Sequence, residues 1–307
     1  MKAIRVAQYG QPEGLLFQET PSPVPGPGEV LIEVAGSGVN PIDWKVLSGA
    51  MKAFIPLQLP YTPGVEVAGR VAAIGEGVTS FSVGDEVFGF IGIAGGYATE
   101  VVASADRLAR KPNRLSSLQA SGVPAAALTA WQALHEHARL SAGQRILIHG
   151  AAGGVGSMAV QMARNAGATV IATASAGNHA YLHSLGASQV IDYNQSSFES
   201  VVDAVDVVLD LVGGDTQTRS WSVLKPGGVL VSPVSQPDAR QAEALGASGK
   251  HFATRSDGAQ LQQIAEQFDS GELMIEIEVL PLSQAEGALR KSWARHTRGK
   301  LVLDARH

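Results

Sequence analysis

The sequence predicts an α/β protein in which a doubly wound parallel sheet follows a β-rich domain. Residues 1–121 contain short β-branched runs that glycine and proline turns separate, as in a mostly antiparallel β domain. From residue 123 onward, apolar runs of strand length alternate with helical segments. This alternation is typical of a parallel sheet with helical crossovers.

The β-rich domain is expected to draw on both ends of the chain. We predict strands there at 30–34, 67–74, 100–102, 273–279 and 300–303. The segment 21–29, PSPVPGPGE, is predicted to be a loop, because its prolines can sustain neither a helix nor a central strand.

The middle of the chain supplies the predicted parallel sheet. Its six strands are expected at 146–149, 169–173, 189–191, 205–209, 229–231 and 251–253. Gly186 is expected to end the helix that precedes the third of these strands. Six strands with intervening helices make a doubly wound fold.

A glycine-rich turn links the first of these strands to a helix. In the sequence HGAAGGVGS, the positions of a G-x-G-x-x-G pattern fall on Ala151, Gly153 and Gly156, so the first glycine is replaced by alanine. Glycine lets backbone N–H groups and the positive end of a helix reach a pyrophosphate. With a strand before it and a helix after it, this turn is predicted to bind a dinucleotide.

The composition narrows the classes of function. The chain has 307 residues, of which 45% are hydrophobic and 17% charged, with a net charge of −5 and no cysteine. An acidic chain without a basic cluster is not expected to bind nucleic acid. We find neither a signal peptide nor an apolar run long enough to span a membrane, and we therefore expect a cytoplasmic protein without a membrane partner.

Several ordered motifs resemble one enzyme family. They are GVNPIDWK, PGVEVAGRV, GGYATE, ALTAWQAL, HGAAGGVGS, LKPGGVLV and HTRGKLVL. Together they resemble the zinc-independent NADPH:quinone oxidoreductases, the zeta-crystallin-like branch of the medium-chain dehydrogenase/reductase superfamily. The resemblance implies a Rossmann domain at 122–271 and a β-rich, GroES-like catalytic domain formed by 1–121 and 272–307.

The resemblance also implies a reaction and its participants. We expect hydride transfer from NADPH to a quinone or another conjugated carbonyl, in a homodimer. Two alternatives remain open. One is an enoyl or alkenal reductase on the same scaffold, and the other is a non-catalytic NADPH-binding protein of the crystallin type.

No metal ion is expected at the active site. Where zinc alcohol dehydrogenases carry catalytic ligands, this chain has Asn40, Val65 and Ala125, none of which is a strong zinc ligand. His179 and His183 have the spacing of two ligands on a helix, but no third donor is evident. A solvent-facing position is the favoured interpretation of this pair.

The expected catalytic residues are Asn40, Asp43 and Thr129, which line the nicotinamide pocket in the resembled family. Each has a structural alternative: Asn40 can form a turn, Asp43 can cap a helix, and Thr129 can bond its own backbone. Tyr97 is expected to be a core residue or a substrate-pocket donor.

The cofactor-binding prediction combines the glycine loop, the ends of the later parallel strands and the family motifs. It covers Asn40, Thr129, Gly150, Ala151, Ala152, Gly153, Gly154, Val155, Gly156, Ser175, His179, Tyr193, Leu211, Val212, Ser232, Pro233, Val234, Phe252, Ala253, Thr254 and Lys300. Lys300 has a strand-edge charge as its structural alternative. NADPH is expected over NADH because no carboxylate follows the second strand at 174–179, where Ser175 can donate to a 2′-phosphate.

Overall fold

The computed structural model describes residues 1–295 and 297–307, which divide into two compact units. The first unit comprises 1–125, 256–271 and 275–307, and the second comprises 126–255 and 272–274. His296, the first residue of the HTRGKLVL motif, lies outside the described residues.

The elements are named here in chain order. Those before residue 132 are β1 Lys2–Val6, β2 Leu15–Glu19, β3 Glu29–Val39, α1 Pro41–Leu47, β4 Glu66–Ile74, β5 Glu86–Phe90, β6 Glu100–Ser104, β7 Leu108–Arg110, α2 Ser117–Ser121 and α3 Pro124–Trp131. The middle of the chain holds β8 Arg145–His149, α4 Gly154–Asn165, β9 Thr169–Ala174, α5 His179–Leu185, β10 Gln189–Asp192, β11 Val205–Asp210, α6 Gly214–Ser220, β12 Leu224–Ser232, α7 Ala239–Ala244 and β13 Ser248–His251. The last elements are α8 Gly258–Ser270, β14 Ile277–Pro281, α9 Ala285–Trp293 and β15 Lys300–Asp304.

The first unit is built on a mostly antiparallel sheet. Among the described residues its strand order is β14-β15-β3-β4-β5-β7, with β6 also paired to β3. The long strand β3 pairs with β4 on one side and with β15 on the other. Since Leu301 of β15 lies opposite Val39 of β3, the chain's last strand brings Lys300 to the start of helix α1.

The second unit is built on a parallel sheet. Its described strands are ordered β10-β9-β8-β11-β12-β13, which counted along this unit is 3-2-1-4-5-6. Every pairing in this sheet is parallel. This is the order of the dinucleotide fold built from two halves. The predicted fold class, a Rossmann sheet plus a separate GroES-like β domain, is confirmed.

Strands β3, Glu29–Val39, and β12, Leu224–Ser232, are longer than predicted, and two further strands begin at other positions than predicted. The sixth parallel strand is β13, Ser248–His251, rather than 251–253. Its sequence, SGKH, lacks a β-branched run, so the local pattern does not reveal it. In the C-terminal region β14 begins at Ile277 rather than at 273, because both backbone groups of Met274 bond the side chain of Gln161 on α4.

The unit boundaries also differ from the predicted domain boundaries. Helix α8 belongs to the first unit, although residues 256–271 were expected to continue the Rossmann domain. Gly258 explains the close approach, since a Cβ there would lie 2.6 Å from the carbonyl oxygen of Leu108 in β7. Asp269, near the end of the helix, also accepts a hydrogen bond from the backbone N–H of Arg114.

None of the described helices is long and apolar enough to cross a lipid bilayer.

Candidate functional site

Helix α1 presents the first two predicted catalytic residues. Asn40 occupies the N-cap and Pro41 the first helical position, where its missing N–H costs no hydrogen bond. Asp43 lies in the first turn, and its Oδ2 accepts the backbone N–H of Asn40 at 2.7 Å. The capping function foreseen for Asp43 is therefore present, with Asn40 rather than Asp43 at the N-cap.

A buried ion pair fixes the side chain of Asn40. The Lys300 ammonium lies 2.6 Å from Glu66 Oε1, and these side chains are 5% and 0% exposed. Asn40 bridges the pair, because its Oδ1 accepts from Lys300 Nζ at 2.7 Å while its Nδ2 donates to Glu66 Oε1 at 2.7 Å. Both ends of the amide are thus held by charged partners, which fixes its orientation.

The Lys300 ammonium is already satisfied inside the first unit. Besides Glu66 and Asn40, it donates to the carbonyl oxygen of Val39 at 3.2 Å. An ammonium has three N–H donors, and these contacts engage all of them. This arrangement does not test the predicted contact of Lys300 with the cofactor. It excludes the alternative of an exposed charge at a strand edge, because the side chain is buried.

Asp43 lies in an environment that favours its protonated form. Burial raises the pKa of Asp43 to about 7, against the hydrogen bonds from Asn40 N–H and Tyr97 that lower it. The Tyr97 hydroxyl donates to Asp43 Oδ2 at 2.8 Å, while Asp43 Oδ1 is buried without a partner among the described residues. Tyr97 is fully buried, so it is a core residue whose hydroxyl serves Asp43.

Two of the positions at which zinc alcohol dehydrogenases carry zinc ligands have structural functions in this chain. Val65 is buried, and the backbone N–H of Ala125 donates to Glu66 Oε2 at 2.7 Å. Glu66 therefore caps the beginning of α3 with one oxygen and binds Lys300 with the other. In the described part of the chain, no group of three or more histidine, cysteine, aspartate or glutamate side chains could hold a metal ion.

In the second unit, the glycine loop follows β8 and leads into α4. Gly150 has φ +68°, a backbone conformation that favours glycine. A Cβ on Gly156 would lie 2.6 Å from Ala151 Cα, so the loop closes tightly there. A Cβ on Gly153 would come no nearer than 3.6 Å to any atom, which leaves the N-cap of a twelve-residue helix open to an anion.

The other cofactor residues predicted in this unit follow the carboxyl ends of its strands. Ser175 and His179 follow β9, Tyr193 follows β10, Leu211 and Val212 follow β11, Ser232, Pro233 and Val234 end or follow β12, and Phe252, Ala253 and Thr254 follow β13. Because these strands are parallel, the structure gathers the residues at one edge of the sheet.

Three of these residues have side chains suited to a phosphate. Ser175 Oγ accepts from the amide of Asn178 at 3.1 Å, and its own hydroxyl hydrogen can point elsewhere. His179 Nε2 is buried without a partner among the described residues, and Tyr193 is 56% exposed. A ring nitrogen without a described partner and an exposed hydroxyl, at the same edge of the sheet as the glycine loop, fit an anionic ligand.

Thr129 contacts the turn that follows β13. Its hydroxyl lies 2.7 Å from the hydroxyl of Thr254. The following π-helical turn, Gln132–His137, holds the same segment: Gln132 exchanges two hydrogen bonds with the backbone of Arg255. Thr129 is therefore tied to another predicted cofactor residue, and its side chain is not explained by bonding to its own helix alone.

A buried carboxylate that the motif analysis overlooked connects two of the turns. Asp210, at the end of β11, accepts from the backbone N–H groups of Val212 and Gly213 at 3.0 and 2.8 Å through Oδ1. Its Oδ2 accepts from Gln217 Nε2 at 2.9 Å and from the Ser232 hydroxyl at 3.1 Å. Asp210 is fully buried.

His149 completes this buried row of polar side chains. It pairs with Asp210 across the sheet register, and its ring nitrogens lie 3.0 Å from the hydroxyls of Thr173 and Ser220. Burial lowers the pKa of His149 to about 4, so the ring is neutral at pH 7. His149 is therefore a buried core residue whose two ring nitrogens both lie within hydrogen-bond distance of hydroxyl groups.

The residues missed by the sequence analysis share one property. Glu66 lies in PGVEVAGRV and Asp210 in VVLDLVGG, so each is a carboxylate between two large apolar residues. A charged residue that borders a predicted buried strand needs partners, and this could have identified both. The sequence does not reveal which residues those partners are.

Comparisons with known proteins agree with this architecture. Residues 26–113 match the family model of the alcohol dehydrogenase GroES-like domain, and residues 185–303 match a model described as a zinc-binding dehydrogenase. The chloroplastic quinone-oxidoreductase QR1 of Triphysaria versicolor is 34% identical and aligns over 99% of each chain.

Solved structures give the same result. The quinone oxidoreductase from Coxiella burnetii is 36% identical, with a TM-score of 0.91 over 99% of each chain. The Escherichia coli quinone oxidoreductase complexed with NADPH is 27% identical, with a TM-score of 0.91 over 99% of this chain and all of that chain. The chain therefore belongs to the quinone oxidoreductase family of the medium-chain dehydrogenase/reductase superfamily.

Proposed function

We propose that this protein transfers hydride from NADPH to a quinone or another conjugated carbonyl. The observation that carries the proposal is the edge of the parallel sheet in the second unit, where an open glycine loop and the predicted cofactor residues lie together. Membership of the quinone oxidoreductase family and the NADPH complex of the Escherichia coli relative support it.

The residues of the second unit fit the proposed cofactor. Gly153 leaves space beside the N-terminus of α4 for the pyrophosphate, and Leu211 and Val212 lie against Gly150 at the start of the loop. When bound, the nicotinamide would supply the hydride, so the protein need only orient the reactants, exclude water and stabilise negative charge.

We propose that the preference for NADPH over NADH arises after β9. The segment from Ser175 to His179 contains no carboxylate that would repel a 2′-phosphate. Ser175 can donate a hydrogen bond, and so can the ring nitrogen of His179 that has no partner among the described residues. Tyr193 follows the neighbouring strand β10, and its side chain is exposed.

We propose that Asn40, Asp43 and Thr129 act on the reacting groups. Asn40 offers the second hydrogen of Nδ2, whose contact with the carbonyl oxygen of Gly38 is long, at 3.4 Å. The hydroxyl of Thr129 lies 2.7 Å from the hydroxyl of Thr254, another predicted cofactor residue. Asp43 holds the backbone of Asn40 in place.

The proposed reaction needs no metal ion. The side chains of Val65 and Ala125 cannot bind zinc, and the amide of Asn40 is already bonded to Glu66 and Lys300. A chelator should therefore leave the activity unchanged. Tightly bound zinc that leaves together with the activity on chelation would contradict this part of the proposal.

The deciding experiment is steady-state NADPH oxidation with quinones, simple enones and enoyl thioesters as acceptors. We expect the highest kcat/KM with quinones. A higher kcat/KM with enoyl thioesters would indicate an enoyl reductase instead. Tight NADPH binding without turnover of any acceptor would indicate a binding protein.

We also propose a homodimer located in the cytoplasm. Strand β13 is an edge of the parallel sheet, and three of its four residues are exposed, so its backbone can pair with a second copy. The absence of cysteine is compatible with a reducing compartment. Light scattering on the purified protein and fractionation of the source cells test the two statements, and a monomer or an organelle-bound protein would contradict them.

A further inference from the structure

We propose that Asp210 is a positioning residue for the dinucleotide: its buried carboxylate joins the turn 211–213 to the turn 232–235 and so shapes the surface that binds the cofactor. This inference rests on the proposed function. It concerns a residue that would touch no part of the ligand and would act through the two turns.

The first step of the argument is that one carboxylate bonds both turns. Asp210 Oδ1 accepts the N–H groups of Val212 and Gly213, while Oδ2 accepts the hydroxyl of Ser232. The same Ser232 Oγ accepts the N–H of Val234 at 3.1 Å. The hydrogen bonds therefore run without a break from one turn, through Asp210, to the other.

The second step is that the two turns touch. Gly213 has φ +80°, and a Cβ there would lie 3.0 Å from Val234 Cγ1 and 3.3 Å from Ser235 Oγ. Gln217 of α6 closes the contact, since its Nε2 donates both to Asp210 Oδ2 and to the carbonyl oxygen of Ser235. A shift of either turn would disturb the other.

The third step is that the first of these turns, 211–213, borders the glycine loop. A Cβ on Gly150 would lie 3.4 Å from Leu211 Cβ and 3.5 Å from Val212 Cγ2. Val212 is 39% exposed although it is a large apolar residue next to a buried strand. An apolar side chain held open to solvent beside the phosphate loop is available to pack on a ligand.

The strength of the arrangement follows from its chemistry. Hydrogen bonds to a carboxylate are shorter and stronger than those between neutral groups. Asp210 accepts four of them, two from N–H groups of the irregular turn 211–213, one from Gln217 of α6 and one from Ser232 at the end of β12. Removing the carboxylate would take this acceptor from two buried donors, the N–H of Gly213 and the hydroxyl of Ser232. The turns would then occupy several conformations, and the cofactor would have to select one of them.

The test compares Asp210→Ala and Asp210→Asn with the matched control Asp206→Ala. Asp206 is on the same strand at its opposite end, where it bonds the N–H of Arg145 and the ammonium of Lys225, both at 2.8 Å. Two measurements are made on the full chain: the Kd for NADPH by fluorescence titration, and hydrogen exchange at the amides of Val212 and Gly213 without ligand.

We expect Asp210→Ala to raise the Kd at least tenfold and to speed exchange at both amides, with a smaller change in kcat at saturating NADPH. Asp210→Asn should recover part of the affinity, because an amide oxygen still accepts the two N–H groups. Asp206→Ala should leave the Kd and both amides within twofold of wild type. If Asp210→Ala does not fold, Asp210→Asn and Ser232→Ala carry the test, each with a several-fold rise in Kd.

Unchanged NADPH affinity in the folded Asp210 variants would overturn the inference, as would an equal loss of affinity in Asp206→Ala. Wild-type protein that binds no NADPH would overturn the proposed function as well. Since binding and exchange are measured without a quinone, a wrong choice of acceptor cannot produce either result.

Discussion

Two buried carboxylates, one in each unit, hold their surroundings by different means. Glu66 in the first unit has a cationic partner, Lys300, whereas every side chain or backbone group seen to donate to Asp210 in the described residues is neutral. An ion pair depends on both charges, because removing one leaves the other unpaired in a medium that solvates it poorly. A carboxylate that accepts hydrogen bonds from several neutral groups loses only one of these bonds when one donor is removed.

The comparison also separates two kinds of function. The Glu66 cluster fixes one side chain, the amide of Asn40, between two charges. Asp210 fixes the backbone of a turn and, through Ser232, the neighbouring turn. We therefore expect the first cluster to govern stability and the presentation of Asn40, and the second to govern the shape of the cofactor surface.

The largest expected effect is in the first unit. Lys300→Met leaves the Glu66 carboxylate buried without its cation, and we expect a loss of about 3–5 kcal/mol in the free energy of unfolding, measured by urea denaturation. The control is Lys291→Met, since Lys291 and its partner Glu278 are 44% and 48% exposed. That change should cost less than about 1 kcal/mol.

The double variant Glu66→Gln with Lys300→Met sharpens this prediction. Because it removes both charges, it should be more stable than Lys300→Met alone. A Lys300→Met variant as stable as Lys291→Met would show that the buried pair of Lys300 and Glu66 contributes no more to stability than an exposed pair.

The second effect is a pH dependence that Asp43 imposes on the first unit. The pKa of Asp43 is raised by burial from 3.8 to about 7, so the folded state holds the proton more tightly than the unfolded state. Stability from this group is complete below pH 4 and is lost as the pH rises towards 7. Asp43→Asn, which keeps an acceptor for Tyr97 and Asn40, should remove this decline.

Urea denaturation of both proteins at several pH values between 4 and 8 gives the measurement. The difference in unfolding free energy between variant and wild type should grow with pH in favour of the variant. If the unfolding free energies of the two proteins changed in parallel with pH, the raised pKa of Asp43 would be contradicted.

Asp43→Asn should lower the rate of hydride transfer less than the substitutions of Asn40 and Thr129, unless the carboxylate is needed to hold Asn40.

The third prediction concerns the rate of the reaction and tests one residue from each unit. Asn40→Ala and Thr129→Val should each lower kcat/KM for NADPH oxidation roughly ten- to a hundredfold, or about 1.4–2.7 kcal/mol in transition-state stabilisation. The charge that develops on the substrate oxygen is shared among several donors, so no single loss should abolish activity. Wild-type kinetics in both variants would return the two residues to structural functions.

The control for this experiment is NADPH affinity, measured for each variant without an acceptor. A folded Asn40→Ala or Thr129→Val that binds NADPH normally but is completely inactive would contradict the sharing of donors. It would identify that residue as a dedicated catalytic group.

The smallest expected effect concerns cofactor choice in the second unit. Ser175→Asp places a carboxylate after β9, where it would repel a 2′-phosphate and could bond a ribose hydroxyl. We expect the ratio of kcat/KM for NADPH to that for NADH to fall about tenfold, equivalent to roughly 1.4 kcal/mol. Ser175→Asn is the uncharged control, and an unchanged ratio in Ser175→Asp would exclude this segment from phosphate recognition.

Local patterns were sufficient for the fold class and for much of the second unit. The glycine turn between β8 and α4 and the alternation of strands and helices depend on residues close in sequence, and parallel strands bring their carboxyl ends together whatever the details. This is why the predicted cofactor residues, from Gly150 to Thr254, gather at one edge of the sheet. Strand β13 was misplaced because SGKH has no β-branched run.

The sequence by itself determined the fold class, the dinucleotide loop and the likeness to the family, since each is written in short segments. Only the tertiary structure decided which charges meet. Lys300 and Glu66 are 234 positions apart, and they pair because β15 and β4 flank β3 in one sheet. Asp210 likewise gained its function from turns that follow two different strands. A buried charge demands a partner, and that demand is readable in a sequence, but the partner's identity depends on the pairing of distant strands.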